Sequence, residues 1–241
     1  MGLPCGVPVS VACGDNQASF LGSVSDRRSS LLVNIGTGGQ VSLWVPEYIE
    51  VRDVETRCYL DESYLLVGAD TCGGGSYALL HRFFLNVGRV FFGAKGDEIL
   101  YERMMSCASK VPPGADGLRC EPFFSGSRLD PHRRAAWLGM SESNFTAAHM
   151  IRALLEGIAD HFRALYEVMI KSGVSPRRCL VGSGNGIRRN ALLAEILSAV
   201  FNMPIKIPLN REEAALGSAL LAAVGCGEIS LEEASKLIKY E

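Results

Sequence analysis

The chain lacks the features that would mark it for a membrane, a nucleic acid or a structural zinc. The uncharged stretch Ala214 to Gly227 falls short of the ~18 apolar residues a spanning helix needs, and it is full of Ala and Gly. There is no basic excess, since 24 Lys and Arg stand against 26 Asp and Glu for a net charge of -2, which excludes a nucleic-acid-binding face as a first reading. None of the eight cysteines (5, 13, 58, 72, 107, 120, 179, 226) shows C-x-x-C spacing, and several sit in apolar runs where a thiol packs as a small hydrophobe. The N-terminus has no basic segment followed by an apolar one, so no signal peptide is expected. These absences lead to the expectation of a cytoplasmic chain with neither membrane nor nucleic-acid partner.

What the chain has is hydrophobic residues, 48% over 241 positions, enough for a sizeable core. It also repeats one pattern. Apolar runs end three times in a glycine turn with polar residues: Val7–Cys13 into Gly14-Asp15-Asn16-Gln17, Leu31–Val33 into Asn34-Ile35-Gly36-Thr37-Gly38-Gly39, and Cys179–Val181 into Gly182-Ser183-Gly184-Asn185-Gly186. A strand that stops at a glycine loop presents backbone amides to an anion, which is how sheets hold phosphorylated ligands. Asp15, at the exit of an expected strand, is a candidate general base; as a plain alternative it caps the helix starting at Gln17. For Gly36 to Gly39 the plain alternative is a hairpin turn.

Alternation and β-branched content predict strands at Leu31–Ile35, Gln40–Val45, Tyr64–Gly68, Leu118–Phe124, Cys179–Val181 and Pro204–Leu209. Helices are expected at 16–22, Tyr77–Leu85, Asp97–Ala108, Thr146–Lys171, Asn190–Phe201, Glu212–Val224 and Leu231–Ile238. The longest carries Ile151, Leu154, Leu155, Ile158, Phe162, Leu165 and Met169 at helical spacing, with Thr146 as its N-cap. Asn144-Phe145-Thr146 also matches a glycosylation sequon. His149 and His161 have no metal-ligand partner at the required spacing and read as structural or surface groups. Strands alternating with helices make this an α/β chain with ligand loops at strand ends.

Taken together, the motifs resemble the C-terminal domain of an FGGY-family carbohydrate kinase nearly end to end, so that residues 1–241 read as one such domain. Gly14-Asp15-Asn16-Gln17 is similar to the family's G-D-x-Q segment, Ile35-Gly36-Thr37-Gly38 to its phosphate loop, and Gly73-Gly74-Gly75 to the glycines on which ATP rests. Ala135 to Met140 followed by His149 to Glu156 resembles its second signature, with Leu154 where a smaller or β-branched residue is usual. Gly182-Ser183-Gly184 with Arg189-Asn190 resembles its adenosine loop, one residue longer than the pattern, and Glu213 to Ala219 the helix behind it. Within the family, the segments around Asp15 and Gly184 look most like sedoheptulokinase.

The resemblance implies an actin-like ATPase fold of RNase H type, the C-terminal half of a two-domain kinase that binds ATP, Mg2+ and a sugar between its halves. It implies Asp15 as catalytic base, Asp15 and Asn16 at the sugar, and Gly36, Thr37, Gly38, Gly74, Gly184 and Asn190 at the nucleotide. Most Mg2+ and sugar ligands are expected on the N-terminal domain, whose Asp-x-Gly-Thr loop is absent from this sequence. Alone, the chain is therefore expected to be inactive and to self-associate through surface the other half would cover. Alternatives are a non-catalytic nucleotide-binding or assembly module, a kinase for xylulose or glycerol, an acetate kinase, or a repressor, the last disfavoured by the want of a helix-turn-helix segment.

Overall fold

Side chains alternate across a strand, so a segment reading Ser-Leu-Leu-Val-Asn-Ile must sit between two covered faces. The computed structural model describes residues 6–9, 12–96 and 98–241. Its strands are β1 (Ser30–Ile35), β2 (Gly39–Val45), β3 (Glu55–Cys58), β4 (Tyr64–Asp70), β5 (Arg119–Glu121), β6 (Ala136–Leu138), β7 (Cys179–Ser183) and β8 (Ile205–Lys206). Six of them form one mixed sheet in the order β3-β4-β2-β1-β7-β8, and β5 and β6 form a separate hairpin. β1 runs parallel to β7 and antiparallel to β2, and β2 runs antiparallel to β4. The carboxyl ends of β1, β4 and β7 therefore meet at one end of the sheet, where β2 begins.

Helices cover both faces. They are α1 (Asp15–Ser23), α2 (Gly74–Phe92), α3 (Leu100–Ala108), α4 (Ala147–Lys171), α5 (Asn185–Arg188), α6 (Ala191–Phe201), α7 (Glu213–Gly225) and α8 (Leu231–Lys236). Leu31, Val33 and Ile35 pack with Ile151, Leu154, Ile158 and Phe162 of α4 and with Leu192, Leu193 and Ile196 of α6. Leu32, Val67 and Val181 point the other way, onto Phe20 of α1. Burying each such side chain contributes about 1.5–3 kcal/mol before the entropy of ordering is counted. Leu21, Leu220 and Ala234 form a smaller core among α1, α7 and α8. Among the described residues no helix is long and apolar enough to cross a membrane.

The expected strand at Val7–Cys13 does not appear: residues 7–9 and 12–13 carry no strand, and residues 10 and 11 lie outside the described residues. A strand needs a neighbour to take its amides, and residues 7–9 and 12–13 have none among the described strands of the sheet, whose edges are β3 and β8. The helix expected from Asp97 begins at Leu100, with Asp97 itself outside the described residues. Strand 118–124 contracts to β5 just before Pro122, and 204–209 to β8 before Pro208, since proline cannot donate to a ladder. α2 is longer than expected, starting at Gly74 and running to Phe92. Thr146 caps α4 by accepting from the His149 amide at 3.3 Å. Asn144 is a buried tie, its amide donating to Asp116 O and Gly139 O at 3.1 and 3.0 Å, so the sequon's asparagine is turned into the protein while Phe145 and Thr146 stay exposed.

Candidate functional site

Gly36, Thr37 and Gly38 connect β1 to β2, and Gly36 and Thr37 are exposed. The carbonyls of this loop point inward. Gly36 O accepts from the Gly74 amide at 2.9 Å, and Thr37 O accepts from the Gly75 amide at 2.8 Å. Among the described residues no backbone acceptor takes the amides of Gly36, Thr37 or Gly38. A turn that spends its carbonyls on the protein and leaves successive amides open is an anion cradle. Its shape depends on glycine at position 73, where a Cβ would stand 2.6 Å from Gly38 O. Gly74 thus supports the loop with its own N–H rather than offering it to a ligand.

The second loop lies against the first. Asn34 of β1 pairs with Ser183 of β7, so Gly184 leaves β7 beside the point where Gly36 leaves β1. Gly184 has φ +84°, and a Cβ there would lie 2.5 Å from Ile35 O. Only glycine lets the two loops approach this closely. α5 follows at once, and Asn190 then caps α6, its buried side-chain oxygen accepting from the Leu193 amide at 3.1 Å. Asn190 accordingly anchors the end of the loop from the interior.

Asp15 is exposed at the first position of α1, with Gly14 as N-cap, and its Oδ1 accepts from the neighbouring Asn16 amide at 2.7 Å. Asn16 differs from the expectation. It is buried, its Nδ2 donates to Ser42 Oγ of β2 at 3.2 Å, and its Oδ1 has no partner among the described residues. The helix turns that side chain toward the sheet because the same face carries Phe20 into the core. Ser42 lies three residues along β2 from Gly39, about 10 Å at strand rise. The start of α1 is therefore tied to the same strand that leaves the phosphate-type loop.

The register adds two residues that the sequence did not single out. Asn34 pairs with Gln40, two residues from the Leu32 and Ser42 pair, so both stand on the α1 face. They are half-buried amides in an otherwise apolar face, between the glycine loops and Ser42. The alternation of β1 was the available signal. Asp70, at the carboxyl end of β4, was also missed, although it shares the strand-end position proposed for Asp15. Its carboxylate accepts from the amides of Thr71 and Arg128 at 2.6 and 3.1 Å, and His161 Nε2 lies 2.9 Å from its Oδ2 in a contact directed off the N–H line. Burial by itself would raise the Asp70 pKa, but these contacts outweigh it and hold the carboxyl below the ordinary range. The group braces the base of the glycine loops, and His161 belongs to that brace.

A concavity of about 800 Å3 lies elsewhere, between β5 and α4, lined by Cys120, Phe123, Glu156 and Asp160. Burial pushes the Cys120 thiol up to about 12, which leaves it an inert packing group. The glycine loops instead form an open shelf.

Residues 31–226 match the FGGY family of carbohydrate kinases, C-terminal domain. The chain belongs to that family. The gluconokinase of Bacillus subtilis (strain 168) is 24% identical over 243 residues, covering 99% of this chain and 47% of that protein. The glycerol kinase of Trichlorobacter lovleyi is 30% identical over 230 residues, covering 92% and 44% respectively. Among solved structures, the xylulose kinase of Rhodospirillum rubrum superposes with a TM-score of 0.85 at 27% identity, over 100% of this chain and 47% of that one. The chain spans about half the length of the curated relatives it matches. The fold is that of the FGGY kinases' C-terminal, actin-like ATPase domain, as the motif resemblance implied.

Proposed function

We propose that this chain supplies the nucleotide-binding half of an ATP-dependent sugar kinase, with Asp15 as general base. The observation that carries the reading is the convergence of the Gly36–Gly38 amides and the Gly184 turn at one end of the sheet, with Asp15 opening the helix that Asn16 ties to β2. Open amides and two glycine turns fit a polyphosphate and its nucleoside. ATP, when bound, supplies the phosphoryl group. The amides of Gly36, Thr37 and Gly38 and the Thr37 hydroxyl hold phosphate oxygens, Gly184 borders the nucleoside, and Asn190 and Gly74 keep both loops in place. Asp15 accepts the proton of the attacking sugar hydroxyl as its oxygen bonds to phosphorus. Positioning and charge balance are most of what such a transfer asks of a protein.

Among the described residues no group of three His, Cys, Asp or Glu is gathered to hold a metal ion. Mg2+ accompanying a nucleotide is held largely by phosphate oxygens, water and one or two carboxylates, so this arrangement is compatible with it. The acceptor is a sugar or polyol. Relatives are named for gluconate, xylulose and glycerol, while the motifs around Asp15 and Gly184 favour sedoheptulose, giving sedoheptulose 7-phosphate. The exposed Val90, Phe91 and Phe92 at the end of α2 favour self-association at high concentration, which sedimentation would register.

Titration of ADP into the chain by calorimetry tests the nucleotide reading, with weak saturable binding expected. Absence of binding at millimolar ADP would overturn it. A panel of sedoheptulose, xylulose, gluconate and glycerol, run with the chain joined to the N-terminal half of a related kinase, then identifies the acceptor.

A further inference from the structure

Arg188 is the last residue of α5, the short helix that opens directly from the Gly184 turn. Its guanidinium is nearly enclosed. Nη2 donates to Glu213 Oε1 at 2.6 Å and also to Asn210 O, while Nε is buried without a partner among the described residues. The two side chains are 10% and 8% exposed. Both acceptors lie on the segment that enters α7. A buried ion pair adds little net stability against an apolar pair of the same shape, so its effect is chiefly to fix geometry.

Glu213 makes a second contact through its backbone. A Cβ on Gly22 would fall inside the carbonyl oxygen of Glu213, and a Cβ on Gly217, one turn later, would fall inside the carbonyl oxygen of Ala18. α7 and α1 thus meet with no side chain between them, and α1 is the helix that begins at Asp15. One residue, Glu213, grips the end of the nucleotide loop with its carboxylate and abuts the Asp15 helix with its carbonyl.

We propose that Arg188 and Glu213 are positioning residues that hold the Asp15 helix in register with the nucleotide loop, so that occupation of the loop restrains α1. The inference rests on the nucleotide reading given above. With α5 restrained by a nucleotide, the paired segment 210–213 loses its local freedom, and the backbone contact passes that restraint to α1. Without the pair the same restraint ends at α5.

Hydrogen exchange with and without saturating ADP tests this. In the unaltered chain ADP should slow exchange at residues 36–38 and 183–187, and also at 17–23 by at least about fivefold, the lower end of ordinary coupling between sites. The variant R188M/E213Q removes both charges and avoids leaving one buried carboxylate alone. It should keep ADP affinity within about twofold and protection at 183–187, while losing the ADP effect at 17–23. Retained protection at 17–23 in the variant would overturn the coupling, as would its absence from the unaltered chain. Loss of all ADP effects in the unaltered chain would overturn the nucleotide reading and this inference together.

Discussion

Gly217 and Ala18 stand so close that the space a Cβ would need on the first is already filled by the carbonyl oxygen of the second. α1 and α7 therefore cross backbone to backbone. Their remaining contacts, such as Leu21 with Leu220, are conventional apolar ones.

Gly217→Ala should be far more costly than a surface change. The added methyl has to push two helices apart, and overpacking of a tight contact costs typically about 1–3 kcal/mol, with this site at the upper end because the obstacle is backbone. Gly36→Ala is the control: nothing lies within 4 Å of a Cβ there. Its stability should change by no more than about 0.5 kcal/mol. Urea denaturation of both variants checks the contrast, and a small effect in Gly217→Ala would mean that the crossing yields.

Thr37→Val removes a hydroxyl from the exposed loop while keeping its shape. ADP affinity should fall by about 1 kcal/mol, the net worth of an ordinary hydrogen bond. Unchanged calorimetric affinity would return Thr37 to the status of a turn residue.

Asp70→Asn addresses the brace beneath the loops. The folded-state pKa of Asp70 is depressed, so its ionised form contributes stability above the unfolded value of about 3.9 and loses it as pH falls through the lower folded value. The stability difference between the unaltered chain and Asp70→Asn should be present at about pH 5. It should shrink as the pH is taken below about 4. Thermal melts across that range read it directly, and a difference independent of pH down to 3 would show that the carboxylate charge contributes nothing.

Much of this arrangement was legible beforehand, because β1 and β7 are buried strands that run into glycine turns and β2 is one that leaves such a turn, where alternation, composition and turn chemistry all agree. Thr146 and the spacing of Ile151 to Met169 likewise gave α4 its start and its buried side. β3 went unread since Glu-Thr-Arg-Cys is a half-exposed edge strand with no apolar period. Residues 7–9 and 12–13 misled for the opposite reason: they have strand composition, but composition supplies no neighbour. Asp70, Asn34 and Gln40 emerge only from register, which places residues far apart in sequence on one face. Glu213 looked like one more residue of an alanine-rich helix, and its pairing with Arg188 across 25 positions left no local trace.

Asp15→Asn separates the chemical reading from the structural one. Asp15 is exposed, and among the described residues its side-chain hydrogen bond is with the amide of the next residue, a bond Asn can replace. Folding stability should therefore stay within about 0.5 kcal/mol, as at an ordinary surface site. Asn cannot take up the proton of the attacking hydroxyl, so in a chain joined to the N-terminal half of a related kinase kcat should fall by about 10²- to 10⁴-fold with nucleotide affinity preserved. A helix-start role alone predicts the reverse, a lowered melting temperature with turnover kept. Phosphoryl transfer by Asp15→Asn at the unaltered rate, in the same joined chain, would remove Asp15 from the chemistry and leave the proton to a group on the other half.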